Sequence, residues 1–73
     1  MEAILEEEQR RYEELQVFAL DFARQGKTQD LKAMLKAKMP INLCDHKGNS
    51  LLMLASYNGN LETTQLLVDM GAD

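Results

Sequence analysis

The side chains best equipped for chemistry stand together in one tetrapeptide, Cys44-Asp45-His46-Lys47, which holds the only cysteine and the only histidine of the 73 residues. A thiol two residues from an imidazole suggests a nucleophile and its base, with a third group needed to orient the base. The tetrapeptide reads as a tight turn, however, and a turn tip offers both groups to water without a pocket. No cluster of bases stands nearby to lower the Cys44 pKa, so a structural or incidental thiol is expected. Cys44, Asp45 and His46 are too few, and wrongly spaced, for a closed zinc site. The chain has no phosphate loop, no glycine-rich nucleotide fingerprint and no paired catalytic carboxylates. The residues therefore predict no enzyme, no metal and no cofactor.

What positions this turn is read from the punctuation around it. Leu51-Leu52-Met53-Leu54 is a solid apolar run whose periodicity cannot separate strand from helix. Ser50 precedes it, where a hydroxyl can accept from the first free N–H groups of a helix, and Asn58-Gly59 comes after it, where glycine suits the left-handed closing residue. A helix over 50–58 is expected. Asn60 or Leu61 then starts a second helix over 61–70, with Glu62 near its positive end. Leu61, Leu66, Leu67 and Met70 supply its apolar stripe, and Gly71 closes it. Two short helices about a glycine turn form an antiparallel hairpin.

The unit recurs upstream. At an offset of 33, Gly26 falls on Gly59, Phe22 on Ala55, Leu20 on Met53, Met34 on Leu67, Leu35 on Val68, Gln29 on Glu62 and Met39 on Ala72. This predicts a long N-terminal helix reaching Gly26 and another over 28–37, in an all-α chain without a sheet. A two-helix period of this length is that of the ankyrin repeat. The stretch "DHKGNSLLMLASYNGNLETTQLLVDMGAD" resembles the family pattern D-x-x-G-x-T-P-L-H-x-A-A-x-x-G-H-x-E-x-V-x-x-L-L-x-x-G-A-D. Asp45, Gly48, Leu52, Ala55, Gly59, Glu62, Leu66, Leu67 and Gly71-Ala72-Asp73 carry the match. Ser50, Leu51 and Met53 depart from it, and Met53 removes the Thr–His hydrogen bond typical of the family. "LLMLASYNGN" resembles the form found in small bacterial ankyrin proteins. Over 17–44 the match is weaker: Lys38 takes a glycine position and no T-P-L-H equivalent exists.

The resemblance implies an ankyrin-repeat solenoid of antiparallel helix pairs: an acidic capping helix over 1–16, an atypical first repeat over 17–44 and a second repeat over 45–73. Charge agrees with a distinct N-terminal segment. The whole net charge of −4 resides in residues 1–16, where six glutamates face Arg10 and Arg11, while the remainder is balanced. Glu6–Arg10 and Glu7–Arg11 stand at i,i+4 in the favourable orientation. Leu5, Tyr12, Ala19 and Leu15, Phe22 recur at heptad spacing; a capping helix explains them, and a short coiled coil with another chain is the sharper alternative. An acidic chain without a basic stripe is a poor match for nucleic acid or anionic membrane. The lone cysteine and the absence of a signal-like or membrane-length apolar run suggest the cytoplasm.

The function implied by the resemblance is protein–protein interaction, with turn tips and first-helix ends forming a concave surface. Here those positions are Cys44, His46, Lys47, Asn49, Tyr57 and Asn58, with Arg24 and Gln25 upstream; plain solvated surface is the competing explanation for each. Met34, Met39, Met53 and Met70 are expected in the core. The second unit ends with Leu66, Leu67, Val68 and Met70 unmodified, so apolar surface is expected beyond it. Further repeats of a longer array, or a second copy of the chain, would cover that face. In the alternative view the chain is a structural start to such an array, or a regulatory appendage, and contacts no partner of its own.

Overall fold

A computed structural model describes the backbone of residues 2–72 and the side chains of residues 10–72. Four helices succeed one another: α1 (Glu2–Gln25), α2 (Thr28–Lys36), α3 (Leu51–Tyr57) and α4 (Leu61–Asp69). Among the described residues there is no strand, only an isolated antiparallel bridge between Cys44 and Ser50. Helix bounds lie within about a residue or two of those predicted, which is the ordinary uncertainty of helix ends. The Glu6–Arg10 and Glu7–Arg11 pairs, and Leu5 of the heptad seam, lie outside the described side chains. Within the seam, Ala19 is buried while Tyr12 and Leu15 are exposed.

The apolar run 51–54 is helical, and Ser50 starts it as its position predicts: its Oγ accepts from the Met53 N–H at 3.1 Å. The backbone repeats in register after 33 residues. Lys27 N–H donates to Phe22 O at 2.9 Å and Asn60 N–H to Ala55 O at 2.9 Å; Met39 N–H donates to Met34 O at 3.1 Å and Ala72 N–H to Leu67 O at 2.9 Å. The closing residues match as well, Gly26 and Gly59 with φ of 74° and 70°, Lys38 and Gly71 with 74° and 96°. Lys38 thus adopts a left-handed conformation that disfavours a Cβ, where its counterpart is glycine.

Helix α1 packs on α2 and α3, and α4 on α2 and α3, so the two hairpins stack side by side. Side-chain burial does not obey the 33-residue register, because each hairpin buries only the face turned to the other. The first hides Ala19, Leu20, Ala23, Leu31 and Leu35; the second hides Leu51, Leu54, Ala55, Thr63 and Leu67. The counterparts of the second set in the first hairpin are Phe18, Asp21, Phe22, Asp30 and Met34, an outer face broken by two carboxylates. The counterparts of the first set in the second hairpin are Leu52, Met53, Ser56, Thr64 and Val68, an outer face without charge. Two expectations need correction. Leu61 is 81% exposed, because it is the first residue of α4 and precedes the turn that packs; Thr63 takes the buried place, its hydroxyl 2.7 Å from that of Thr28. Met53 and Met70 are exposed on the outer side, whereas Met39 is buried and Met34 half-buried.

One side chain ties the hairpins across 36 and 37 residues. Asn60, at the head of α4, makes no capping bond there; its Nδ2 donates to Ala23 O and Arg24 O, each at 2.9 Å. These are carbonyls of the last turn of α1, which have no partner inside the helix. Gly26 makes room: a Cβ there would lie 2.8 Å from Asn60 Oδ1, whereas at Gly59 it would meet nothing within 4 Å. The two glycines share a conformation but not a neighbour. Gly59→Ala should therefore cost about 1–2 kcal/mol in urea unfolding, the penalty of a left-handed alanine. Gly26→Ala should cost about 2–4 kcal/mol by displacing Asn60 as well. Equal losses at the two sites would show that Asn60 does not clamp the hairpins together.

Candidate functional site

The turn over 43–51 is built on one carboxylate. Asp45 Oδ1 accepts from the backbone N–H groups of Lys47 and Asn49, both at 2.9 Å, and Oδ2 accepts from Asn49 Nδ2 at 3.4 Å. Backbone bonds close the same turn, from Asp45 N–H to Asn49 O at 2.9 Å, Gly48 N–H to Asp45 O at 3.1 Å and Leu51 N–H to Leu43 O at 3.2 Å. Arg24 of α1 reaches across to Asp45 Oδ2 at 3.4 Å while also pairing with Asp21 at 2.8 Å. The Asp45 carboxyl is held below its ordinary pKa, first by the Asn49 N–H and then by Asn49 Nδ2, the Lys47 N–H and the Arg24 charge, against a desolvation that raises it.

Two depressions flank this turn. The larger, about 690 Å3, is a groove between α1 and the rising arm of the turn, lined by Glu13, Gln16, Val17, Leu20, Arg24, Leu43, Cys44, Asp45 and His46. The smaller, about 290 Å3, lies on the other side and is lined by Arg24, Asp45, His46, Lys47, Asn49 and Leu54. The expectation that Cys44 and His46 sit on a tip without a pocket is thus corrected for the groove side. The long straight α1 forms the second wall, which a local view of the turn omits. The groove still lacks a catalytic constellation, since Asp45 is committed to the turn. Cys44 Sγ makes only a weak contact with Asn42 O at 3.4 Å. Among the described residues no group of three or more His, Cys, Asp or Glu side chains is placed to hold a metal ion.

Of the eight residues singled out from sequence, the structure brings Arg24, His46, Lys47 and Asn49 together around the smaller depression and Arg24, Cys44 and His46 along the groove. Gln25, Tyr57 and Asn58 line neither. Tyr57 is 74% exposed, the most open aromatic ring among the described residues. Three of the eight are already employed: Arg24 in its two ion pairs, Asn49 on Asp45, and Asn58, whose Nδ2 donates to Leu54 O at 2.7 Å to finish α3. Sequence inspection missed Glu13, Gln16, Val17 and Leu43. The signal was present: at an offset of 33 the turn residues 43–50 fall on 10–17, and that stretch carries neither glycine nor proline.

No helix among the described residues is long and apolar enough to cross a membrane. The sequence pattern of the family described as ankyrin repeats, in many copies, matches residues 19–68. An ankyrin repeat protein of Pseudomonas aeruginosa is 54% identical over 46 residues, 63% of this chain and 27% of its own length. Human oxysterol-binding protein-related protein 1 is 37% identical over 75 residues, 100% of this chain and 8% of its own. The chain thus spans about a quarter of one relative and under a tenth of the other. No solved structure matches it.

The charged form of Asp45 stabilises the turn. Because its folded pKa is depressed, that stability is fully present above the ordinary aspartate value of about 3.9 and is lost as pH falls through the lower folded value. On acidification from about pH 6 to about pH 2.5, the native chain should lose more of its urea midpoint than Asp45→Asn, which starts lower and has no charge to lose there. Parallel acid losses in the two proteins would show that the carboxylate is not what holds the turn.

Proposed function

The chain belongs to the ankyrin-repeat family, and from that premise we propose that it is a protein-interaction module whose contacts are made by the turn tip and the adjoining helix ends. Residues 1–16 then act as an acidic cap, 17–44 as an atypical first repeat and 45–73 as a second, working in the cytoplasm without nucleic acid or membrane as ligand and without catalysis. The observation that carries this is the division of labour around the turn. Asp45 fixes the turn backbone by its own hydrogen bonds, so the side chains of His46 and Lys47 remain exposed, and Tyr57 is exposed at the end of α3. Presenting side chains on an ordered backbone lowers the entropy lost on binding. Tyr57, at the far end of α3, adds a large, mostly rigid phenol ring, the usual kind of anchor in a protein interface. Cys44, Asn49, Asn58, Arg24 and Gln25 complete the proposed contact surface.

The variant carrying Tyr57→Ala and His46→Ala should bind a partner captured by the native chain about tenfold or more weakly, a loss of at least ~1.4 kcal/mol, with helix content unchanged by circular dichroism. If that variant binds normally while Lys32→Ala or Lys36→Ala on α2 abolishes binding, the contact surface lies on the outer helices instead.

A second mode is favoured by the uncharged outer face of the second hairpin, where Val68 is 52% exposed beside Met53, Leu52 and Thr64. Burying apolar area at ~25 cal/mol per Å2 would reward any neighbour placed there, whether further repeats or a second copy of the chain. Sedimentation velocity of the 73-residue chain at micromolar concentration should show concentration-dependent self-association, lost in Val68→Asp. A monomer at all concentrations would leave the second copy without support.

A further inference from the structure

Resting on the protein-interaction role of the turn tip, we propose a second contact surface and its partner chemistry: the groove between α1 and the turn takes an extended peptide segment with a cationic side chain next to an apolar one. The turn supplies an open edge. The bonds Leu51 N–H to Leu43 O and Asp45 N–H to Asn49 O flank the Cys44–Ser50 bridge, so the backbone N–H and C=O of Cys44 point away from Ser50, along the outer edge of the rising arm. In a stack of identical units the preceding turn would occupy that side. Here the residues in register with 43–50 are 10–17, which are helix, so among the described residues no turn stands ahead of this one. An added strand satisfies such an edge with main-chain hydrogen bonds and takes its specificity from side-chain pockets.

The walls define those pockets. Leu20 and Leu43 form an apolar floor, and Val17, 55% exposed, stands above them. The charge is one-sided. Arg24 is held between Asp21 and Asp45 and closes one end, whereas Glu13 on the rim makes no ion pair among the described residues. Asp21 and Asp45 share the one guanidinium at one end, and Glu13 stands without an ion pair among the described residues further along α1, so carboxylates outnumber cations along the groove; this favours a cation in the incoming segment and disfavours an acidic one. An extended segment turns adjacent side chains to opposite faces, so with the cation at the rim its apolar neighbour meets the Leu20 and Leu43 floor, flanked by Val17.

The test uses the full chain labelled with 15N and a capped pentapeptide of alternating lysine and valine, Lys-Val-Lys-Val-Lys. Saturable amide shifts are expected at Gln16, Val17 and Cys44, and none with the matching Glu-Val peptide. Glu13→Lys and Val17→Asn, both at exposed positions, should each weaken binding by about tenfold without changing helix content. A Lys-Val peptide N-methylated at each valine should also bind more weakly, because the added strand loses donors. Absence of saturable shifts at millimolar peptide would overturn the proposal, as would unchanged affinity in Glu13→Lys, which would mean that Glu13 does not receive the cation, or an equal loss in Glu62→Lys on α4, which would mean adsorption to net charge. Shifts confined to Tyr57 and Asn58 would also overturn it, while leaving the turn-tip surface standing. Peptide binding that survives Tyr57→Ala, at a residue outside the groove, would keep the two surfaces separate.

Discussion

The stack depends on a hydrogen-bond requirement at the end of α1. A helix terminates with carbonyls that have no partner within it, and at this end one is part-buried against the neighbouring hairpin while the next stays open to water. The amide of Asn60 answers two of them from the head of α4. For that amide to reach them α1 and α3 must approach closely, and both carry small buried side chains, Ala19, Ala23 and Ala55, among the larger leucines of the core. Gly26 stands at the same junction for the same reason. Short helices of seven and nine residues would be marginal alone, so α3, α2 and α4 owe their persistence to this contact rather than to propensity.

The turn is held by different means. It buries little, and its order comes from backbone bonds across the turn and from a carboxylate that gathers two further backbone N–H groups and an amide. Order without burial is what leaves Cys44, His46 and Lys47 available on a backbone that does not need them. The Arg24–Asp45 contact connects this tip to α1, so the position of the tip is referred to the hairpin stack rather than set by the turn alone. Rigid placement and chemical availability therefore coexist at one edge of the molecule.

Much of this fold was legible in the residues because it is local. The glycines at 26, 59 and 71, the serine before 51 and the 33-residue recurrence act within a few positions of themselves and locate the helices closely. What was not legible is what depends on neighbours. Leu61 fits a helical stripe on paper, yet it stands at the helix entry, outside the packed turns. The value of Asn60 lies in carbonyls more than thirty residues away, which a capping rule has no means to find. The burial pattern eluded a simple alignment because the two units face each other with opposite sides. Likewise, the groove exists only because α1 continues straight past the place where a turn would otherwise stand.

The unequal outer faces also bear on how such a chain can lengthen over generations. Backbone closures that recur every 33 residues allow a whole unit to be duplicated without disturbing the phase of its neighbours. Duplication after the second hairpin would set new leucines and valines against Leu52, Met53 and Val68, a surface that tolerates them. Duplication ahead of the first would confront Asp30, and Asp21 with its Arg24 partner, with an apolar neighbour and bury charge, a heavy penalty for any carboxylate left unpaired. Heredity can therefore extend this molecule readily in one direction only.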